Sequence, residues 1–145
     1  MRGITFFLLL LFASCTLFKP VSRKKFSFYK DNKNRHIALQ VPKGYKDEKI
    51  KLGSYGKEQF YSYPDGSLFF IGLNTDWPSA NQSRNLVPYV DSIVSMSGIY
   101  KGIDKEGLHW KEIFFDYFKV GYSFVVPHKL QDFENAINSI RFKKP

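Results

Sequence analysis

Histidines are the first candidates for acid–base or metal chemistry in this 145-residue chain. His36, His109 and His128 are far apart, and no two have the i, i+4 spacing with which a helix presents two metal ligands. We expect His109 to be half-buried in a strand and His128 to be exposed near a helix start. The sequence therefore predicts no metal site.

A hydrolase would need paired carboxylates or an activated serine. Glu106, Glu112 and Asp116 are close in sequence, and we expect them on a polar turn and a solvent-exposed face. The chain has no Gly-x-Ser-x-Gly motif. Its Gly53-Ser54-Tyr55-Gly56 segment lacks the Gly-Lys-Ser/Thr ending of a phosphate-binding loop. We predict no catalytic residue and no cofactor, and a small hydrolase with an unrecognised site is one alternative.

The only cysteine, Cys15, ends an apolar segment at the start of the chain. Arg2 precedes a nearly continuous apolar run over residues 4–12, and Ala13-Ser14-Cys15 closes it. This pattern is typical of a secretory signal. The run is shorter than the ~20 apolar residues that a transmembrane helix needs. The sequence predicts an exported protein in which residues 1–14 are the signal peptide.

The end of this segment resembles a bacterial lipobox, Leu-Ala-(Gly/Ser)-Cys, with Phe12 where an aliphatic residue is usual. The resemblance implies a bacterial lipoprotein that is cut before Cys15 and held on a membrane by acyl chains on that residue. Cleavage after Cys15, or retention of the uncut segment as an anchor, are the alternatives. Residues 16–20 contain no acidic residue, which favours the outer membrane, facing the periplasm.

Positive charge is concentrated just after this segment. The formal net charge is +9, and residues 16–35 hold seven Lys or Arg residues and one Asp. We expect residues 15–25 to form a lipidated basic tether close to anionic headgroups, which attract each nearby cation by about 1 kcal/mol. The membrane-proximal cations of this tether are Lys19, Arg23, Lys24 and Lys25. Nucleic-acid binding is the other reading of a basic run, and we do not expect it of an exported protein.

Residues 26–145 are expected to form a single α+β domain. Fifteen Phe, nine Tyr and two Trp residues favour β-sheet. Sequence periodicity predicts strands at 26–29, 37–41, 49–52, 59–63, 68–73, 99–103, 108–115, 120–126 and 140–142, and helices at 85–97 and 129–138. We predict an antiparallel sheet of about six strands covered by the two helices.

Two short motifs resemble Mog1/PsbP-like domains. Val41-Pro42-Lys43-Gly44-Tyr45 is similar to the start of that family, and Gly121-Tyr122-Ser123, a helix and Ile137-Asn138-Ser139-Ile140-Arg141-Phe142 are similar to its end. The resemblance implies an α/β/α sandwich. It implies no activity, because these domains are mostly binding or assembly modules.

Large aromatic residues outside these motifs are candidates for a partner surface, since Trp and Tyr are enriched in binding hot spots. The candidates are Trp77, Tyr89, Tyr100 and Trp110, and burial against the sheet is the alternative for Trp77. We therefore expect a non-catalytic binding or assembly module with a protein partner in the bacterial envelope. A toxin-immunity-type protector is a further alternative.

Overall fold

A computed structural model describes residues 21–30, 32–53, 56–73 and 98–143. These residues form nine strands and one α-helix, with a 3₁₀ turn at Pro127–Lys129 before the helix. The strands are β1 (Val21–Lys30), β2 (Lys33–Pro42), β3 (Asp47–Gly53), β4 (Gly56–Ser62), β5 (Leu68–Leu73), β6 (Gly98–Ile103), β7 (His109–Phe115), β8 (Phe118–Val125) and β9 (Arg141–Lys143). The helix α1 spans Leu130–Asn138.

The strands make two antiparallel sheets. The large sheet has the order β3-β4-β5-β8-β7-β6, and the small sheet has the order β1-β2-β9. A Pro-Asp-Gly turn joins β4 to β5, as the sequence predicted. The Gly66 N–H donates to Tyr63 O across it at 3.0 Å, and Ser67 N–H donates to the Asp65 carboxylate at 3.1 Å.

The core lies between the two sheets and the helix. Phe26, Ile37 and Leu39 of the small sheet are buried against one face of the large sheet, which we call its inner face. Helix α1 packs on the same inner face, where Phe133 makes edge-to-face or tilted contacts with Phe69 and Tyr122. Because side chains alternate along each strand, the residues between these face the opposite side, the back face.

The back face of the large sheet is buried as well. Its residues Leu68, Phe70 and Phe114 are each less than a tenth exposed. The described elements that pack on the large sheet, the small sheet and α1, lie on its inner face. Burial on this face therefore does not come from the small sheet or from α1.

Most predicted strands are confirmed, but the arrangement differs from the prediction. The large sheet is the predicted antiparallel sheet of about six strands, but β1, β2 and β9 pair with one another in a second sheet across the core. β1 begins at Val21, so residues 21–25 belong to a strand and not to the expected tether. The predicted helix at 85–97 lies outside the described residues, and α1 is the helix among the residues described.

Candidate interaction surface

The outer face of the small sheet carries exposed cations. Phe26 and Phe28 of β1 point into the core, so the alternation of the strand directs Arg23 and Lys25 outward. Both are exposed. The sequence shows two alternate aromatics preceded by basic residues, and pairing of β1 with β2 places Arg23 and Lys25 on one face of the small sheet.

The last strand adds to this face. Ala38 of β2 is opposite Lys25 of β1 on one side and Arg141 of β9 on the other. Arg141 is exposed, and its Nη1 donates to the carbonyl oxygens of Asn138 and Ile140 at 3.0 and 2.7 Å. The sequence reasoning missed Arg141, although the basic end of the chain was a signal for it, because more than a hundred residues separate it from β1.

Lys24 occupies a different place from its neighbours. Its Nζ lies 2.9 Å from Glu48 Oε2 on β3 and 5.4 Å from the ring centroids of both Tyr45 and Tyr61. The hydrogen bond to Glu48 is the main cause that raises the pKa of Lys24. Lys24 was predicted as a membrane-proximal cation, but its charge is paired with the large sheet.

Glu48 and Tyr61 belong to a polar network at this junction of the two sheets. Gln59 Nε2 donates to Glu48 Oε1 and to Tyr61 Oη, and Tyr61 Oη donates to Glu48 Oε1 at 3.3 Å. Burial, followed by the charge of Glu48, raises the pKa of Tyr61. The phenol therefore stays protonated and donates a hydrogen bond from β4 to Glu48 of β3, the residue that pairs with Lys24 of β1.

A second network joins α1 to the large sheet. Glu134 accepts from Lys111 Nζ at 2.6 Å and from Tyr122 Oη at 2.7 Å. Burial by itself would raise the pKa of Glu134, but the hydrogen bonds from Lys111 and Tyr122 outweigh it and the pKa is lowered. Burial and the bond to Glu134 raise the pKa of Tyr122. This geometry ties α1 to β7 and β8 of the large sheet.

An apolar strip lies where the large sheet extends past the edge of the small sheet. Phe142 of β9 contacts Phe115 edge-on, with ring centroids 6.3 Å apart, and remains 61% exposed. Ile113 follows on the same face of β7, and Ile99 of the edge strand β6 is opposite it and also 61% exposed. We define the apolar strip as Phe142, Phe115, Ile113 and Ile99.

Charged residues are also buried on the back face. Lys119 Nζ of β8 lies 2.9 Å from Glu58 Oε1 of β4, and their side chains are only 3% and 5% exposed. Gly72 stands between them on β5 and leaves space for this pair. Glu112 is 0% exposed on the same face, so the expectation that it lies on a solvent-exposed face was wrong. Its position in β7 alternates with inner-face residues, and its back-face neighbour Phe114 is buried as well.

Two of the predicted partner-surface aromatics are on the back face. Tyr100 is half-buried, with its ring centroid 5.6 Å from that of Phe114 in an edge-to-face contact. Trp110 lies over Gly102, where an added Cβ would come within 2.8 Å of the indole ring. The remaining candidates, Trp77 and Tyr89, lie outside the described residues, as do Cys15 and Lys19.

The histidines do not come together. His36 is in β2, where its Nδ1 lies 3.0 Å from Ser27 Oγ, His109 begins β7, and His128 is exposed in the 3₁₀ turn. In the described part of the chain, His, Cys, Asp and Glu form no group of three that could hold a metal ion. Among the same residues, no helix is long and apolar enough to cross a bilayer.

Comparison with known proteins adds no relative. No family model matches the chain, and neither the curated proteins nor the solved structures contain a match.

Proposed function

We propose that this chain is an exported bacterial lipoprotein, anchored through Cys15, whose domain is a non-catalytic binding or assembly module held close to the membrane. The observation that carries this is the start of β1 at Val21. Only residues 16–20 would separate a lipidated Cys15 from the folded domain. Five residues span at most about 18 Å when fully extended. The domain would therefore work next to the bilayer, and the outer membrane facing the periplasm is the proposed location.

Metabolic labelling with a palmitate analogue tests the anchor. We expect label on the wild-type chain and recovery of that chain with membranes, because two or more acyl chains hold a protein stably. The Cys15→Ala variant should carry no label and should remain as a longer, uncut precursor. Label that persists in Cys15→Ala would show that the lipoprotein assignment is wrong.

We also propose the finer architecture, an α/β/α sandwich of the Mog1/PsbP-like kind. The buried back face supports it, because the segment between Leu73 and Gly98 joins two strands of that sheet and carries the predicted helix at 85–97. A helical 85–97 segment would place Leu86, Val90, Ile93 and Val94 on one side.

Paired substitutions in this segment test the sandwich. Val90→Asp should lower the free energy of unfolding in urea by more than about 2 kcal/mol, since it would bury a charge. Ser92→Asp, on the opposite side of such a helix, should change it by less than about 0.5 kcal/mol. Equal effects of the two substitutions would argue against a helix packed on the back face.

We infer that the protein partner is an extended segment of another envelope protein, which adds a strand to β6. β6 ends the order of the large sheet, and its inner-face residues Ile99 and Ile103 are exposed on either side of Lys101. An exposed strand edge with alternating apolar side chains is the feature that β-strand addition uses. Acidic residues in the partner would complement Lys101.

A photo-crosslinking amino acid placed along β6 in living cells tests this. Positions 99 and 103 should give an adduct of the same mass, because both side chains would lie beside inner-face side chains of the added strand. Position 105, in the turn that follows β6, should give none, because it lies beyond the pairing edge. Adducts of equal yield at positions 99, 103 and 105 would contradict strand addition.

A further inference from the structure

We propose that the outer face of the small sheet binds the phosphate groups of anionic phospholipids. This inference rests on the proposed anchoring and names the surface that meets the membrane. β1, β2 and β9 together contain eight Lys and Arg residues and no Asp or Glu. Asp31, between β1 and β2, lies outside the described residues.

Pairing of the strands decides which of these cations point outward. Lys24 and Arg35 alternate with outward positions and face the inner side, where Lys24 pairs with Glu48. Arg23, Lys25 and Arg141 are exposed on the outer side. The surface is therefore not the whole basic run of the sequence but the outward half of it, together with a residue from the end of the chain.

Lys25, Ala38 and Arg141 form a row across the three strands, and this row suits a phosphate. Ala38 lies between Lys25 and Arg141, and neighbouring strands are ~4.8 Å apart, so the two Cα atoms are ~10 Å apart with only a methyl group between them. An ammonium and a guanidinium on long side chains can both reach an anion held over Ala38. Arg141 uses Nη1 on two backbone carbonyls, and a guanidinium has five N–H donors in all.

The rest of this face carries no acidic residue in the described strands. Ser27, His36 and Lys143 are in register in the neighbouring row, and Gln40 is opposite Arg23. The face is thus a three-stranded surface on which cations of β1 and β9 lie on either side of β2. Such an open sheet surface fits a planar array of phosphates.

Its position relative to the anchor favours lipid over other polyanions. Lys25 is four residues beyond Val21, or ~13 Å along the strand. A lipidated Cys15 would thus hold the row within reach of the headgroups of the same membrane. Nucleic acid also presents phosphate groups and is therefore the competing ligand.

Vesicle binding by the full chain carrying Cys15→Ala tests the proposal without the acyl chains. Two partition coefficients are measured, one on vesicles of phosphatidylcholine with about 30% phosphatidylglycerol and one on vesicles of phosphatidylcholine alone. The phosphatidylglycerol gives the first vesicles a negative surface potential. The quantity compared between variants is the ratio of the first coefficient to the second. Taking the ratio cancels the contribution of the apolar residues at the start of the chain. High salt should abolish the preference for anionic vesicles, because it screens charges at the surface.

A charge-matched pair of variants locates the surface. Lys25→Glu with Arg141→Glu should lower the ratio at least about tenfold. Lys46→Glu with Lys105→Glu makes the same change in net charge at exposed positions outside the small sheet, and should lower it less than about threefold. Circular dichroism of both variants establishes that they are folded.

Equal losses in the two double variants would overturn the proposal, because net charge alone would then explain binding. Tighter binding of a single-stranded DNA oligonucleotide than of the anionic vesicles, lost in the Lys25/Arg141 variant, would overturn it in favour of nucleic acid. Labelling of Cys15 in cells should be the same with and without Lys25→Glu and Arg141→Glu. The vesicle experiment therefore tests the phospholipid-binding face, and the labelling experiment tests the anchor independently of it.

Discussion

Lys24 Nζ on the first strand lies 2.9 Å from Glu48 Oε2 on the edge strand of the large sheet. This ion pair joins the two sheets at the side of the core opposite the apolar strip, and the rings of Tyr45 and Tyr61 flank the ammonium. Lys24 belongs to the basic segment of the sequence, but in the structure it helps to hold the two sheets together. It also leaves Arg23 and Lys25 as the outward cations of β1.

Glu48→Gln tests the contribution of this pair. We expect the free energy of unfolding to fall by about 1 kcal/mol, because the pair is partly exposed and the amide keeps some of the hydrogen bonds. Asp47→Asn is the matched control, since its pair with Lys49 is more exposed, and it should change stability by less than about 0.5 kcal/mol. Urea unfolding followed by tryptophan fluorescence measures both. Equal effects would mean that the junction is not held by this pair.

Acid should destabilise the fold. Folding lowers the pKa of Glu48, mainly through the hydrogen bond from Lys24. For Asp65 and Glu134, burial acts to raise the pKa, but the hydrogen bonds that each accepts, the one from a lysine first, outweigh burial and the pKa is lowered. A lowered pKa means that the folded state binds the proton less well than the unfolded chain. The stabilisation is therefore present above the unfolded pKa of about 4 and is lost as the pH falls through the lower folded values.

Urea midpoints measured between about pH 3 and pH 7 should show this loss. Glu134→Gln should make the dependence on pH shallower, because it removes one of the three groups. Glu106→Gln, at an exposed turn position, should leave the slope unchanged. A midpoint that does not fall on the acid side would contradict the assignment.

The buried pair on the back face should be costly to break. Lys119→Met leaves Glu58 as a buried carboxylate without its 2.9 Å ion partner, and breaking such a pair typically costs about 3–5 kcal/mol. The double variant Lys119→Met with Glu58→Leu should recover most of that loss, because no buried charge remains in the pair. Thermal unfolding of the two single variants and the double variant gives the coupling. Additive losses would show that the two side chains do not interact.

Gly121 should not tolerate a side chain. A Cβ there would overlap the backbone oxygen of Lys111 and come within 2.6 Å of Phe70 Cζ. Gly121→Ala should therefore cost about 1–3 kcal/mol, in the range of overpacked cores. Adding Phe70→Leu should relieve only part of the loss, since the backbone oxygen of Lys111 stays in place. A cost below about 0.5 kcal/mol would mean that β7 and β8 can move apart.

Local patterns gave the elements with good accuracy. The apolar run after the Pro-Asp-Gly turn placed β5 at Leu68–Leu73 without error, and helical spacing placed α1 within a residue of its bounds. These patterns are informative because strands and helices bury apolar residues at different spacings, so the spacing of apolar residues indicates which element forms. The turn at Pro64-Asp65-Gly66 was likewise visible, since its residues suit its backbone.

Pairing between distant strands was not visible in the same way. Glu112 was predicted to lie on a polar turn or a solvent-exposed face, yet it is fully buried on the back face of its sheet. Lys24 and Lys25 are adjacent and chemically alike, but one is paired with Glu48 and the other faces solvent. No local pattern separates them, since the difference depends on which side of β1 meets the large sheet.

Local sequence was enough to predict an export signal, which stays a prediction, to show the excess of positive charge after Cys15, and to predict the order of the described strands and the final helix. The tertiary structure alone decided that β1, β2 and β9 form a separate sheet, and that Arg141 joins Lys25 on its outer face. The physical reason is that periodicity records only that one side of a strand is buried. Which strands are neighbours depends on the packing of the whole core, and here that packing brings the two ends of the domain together.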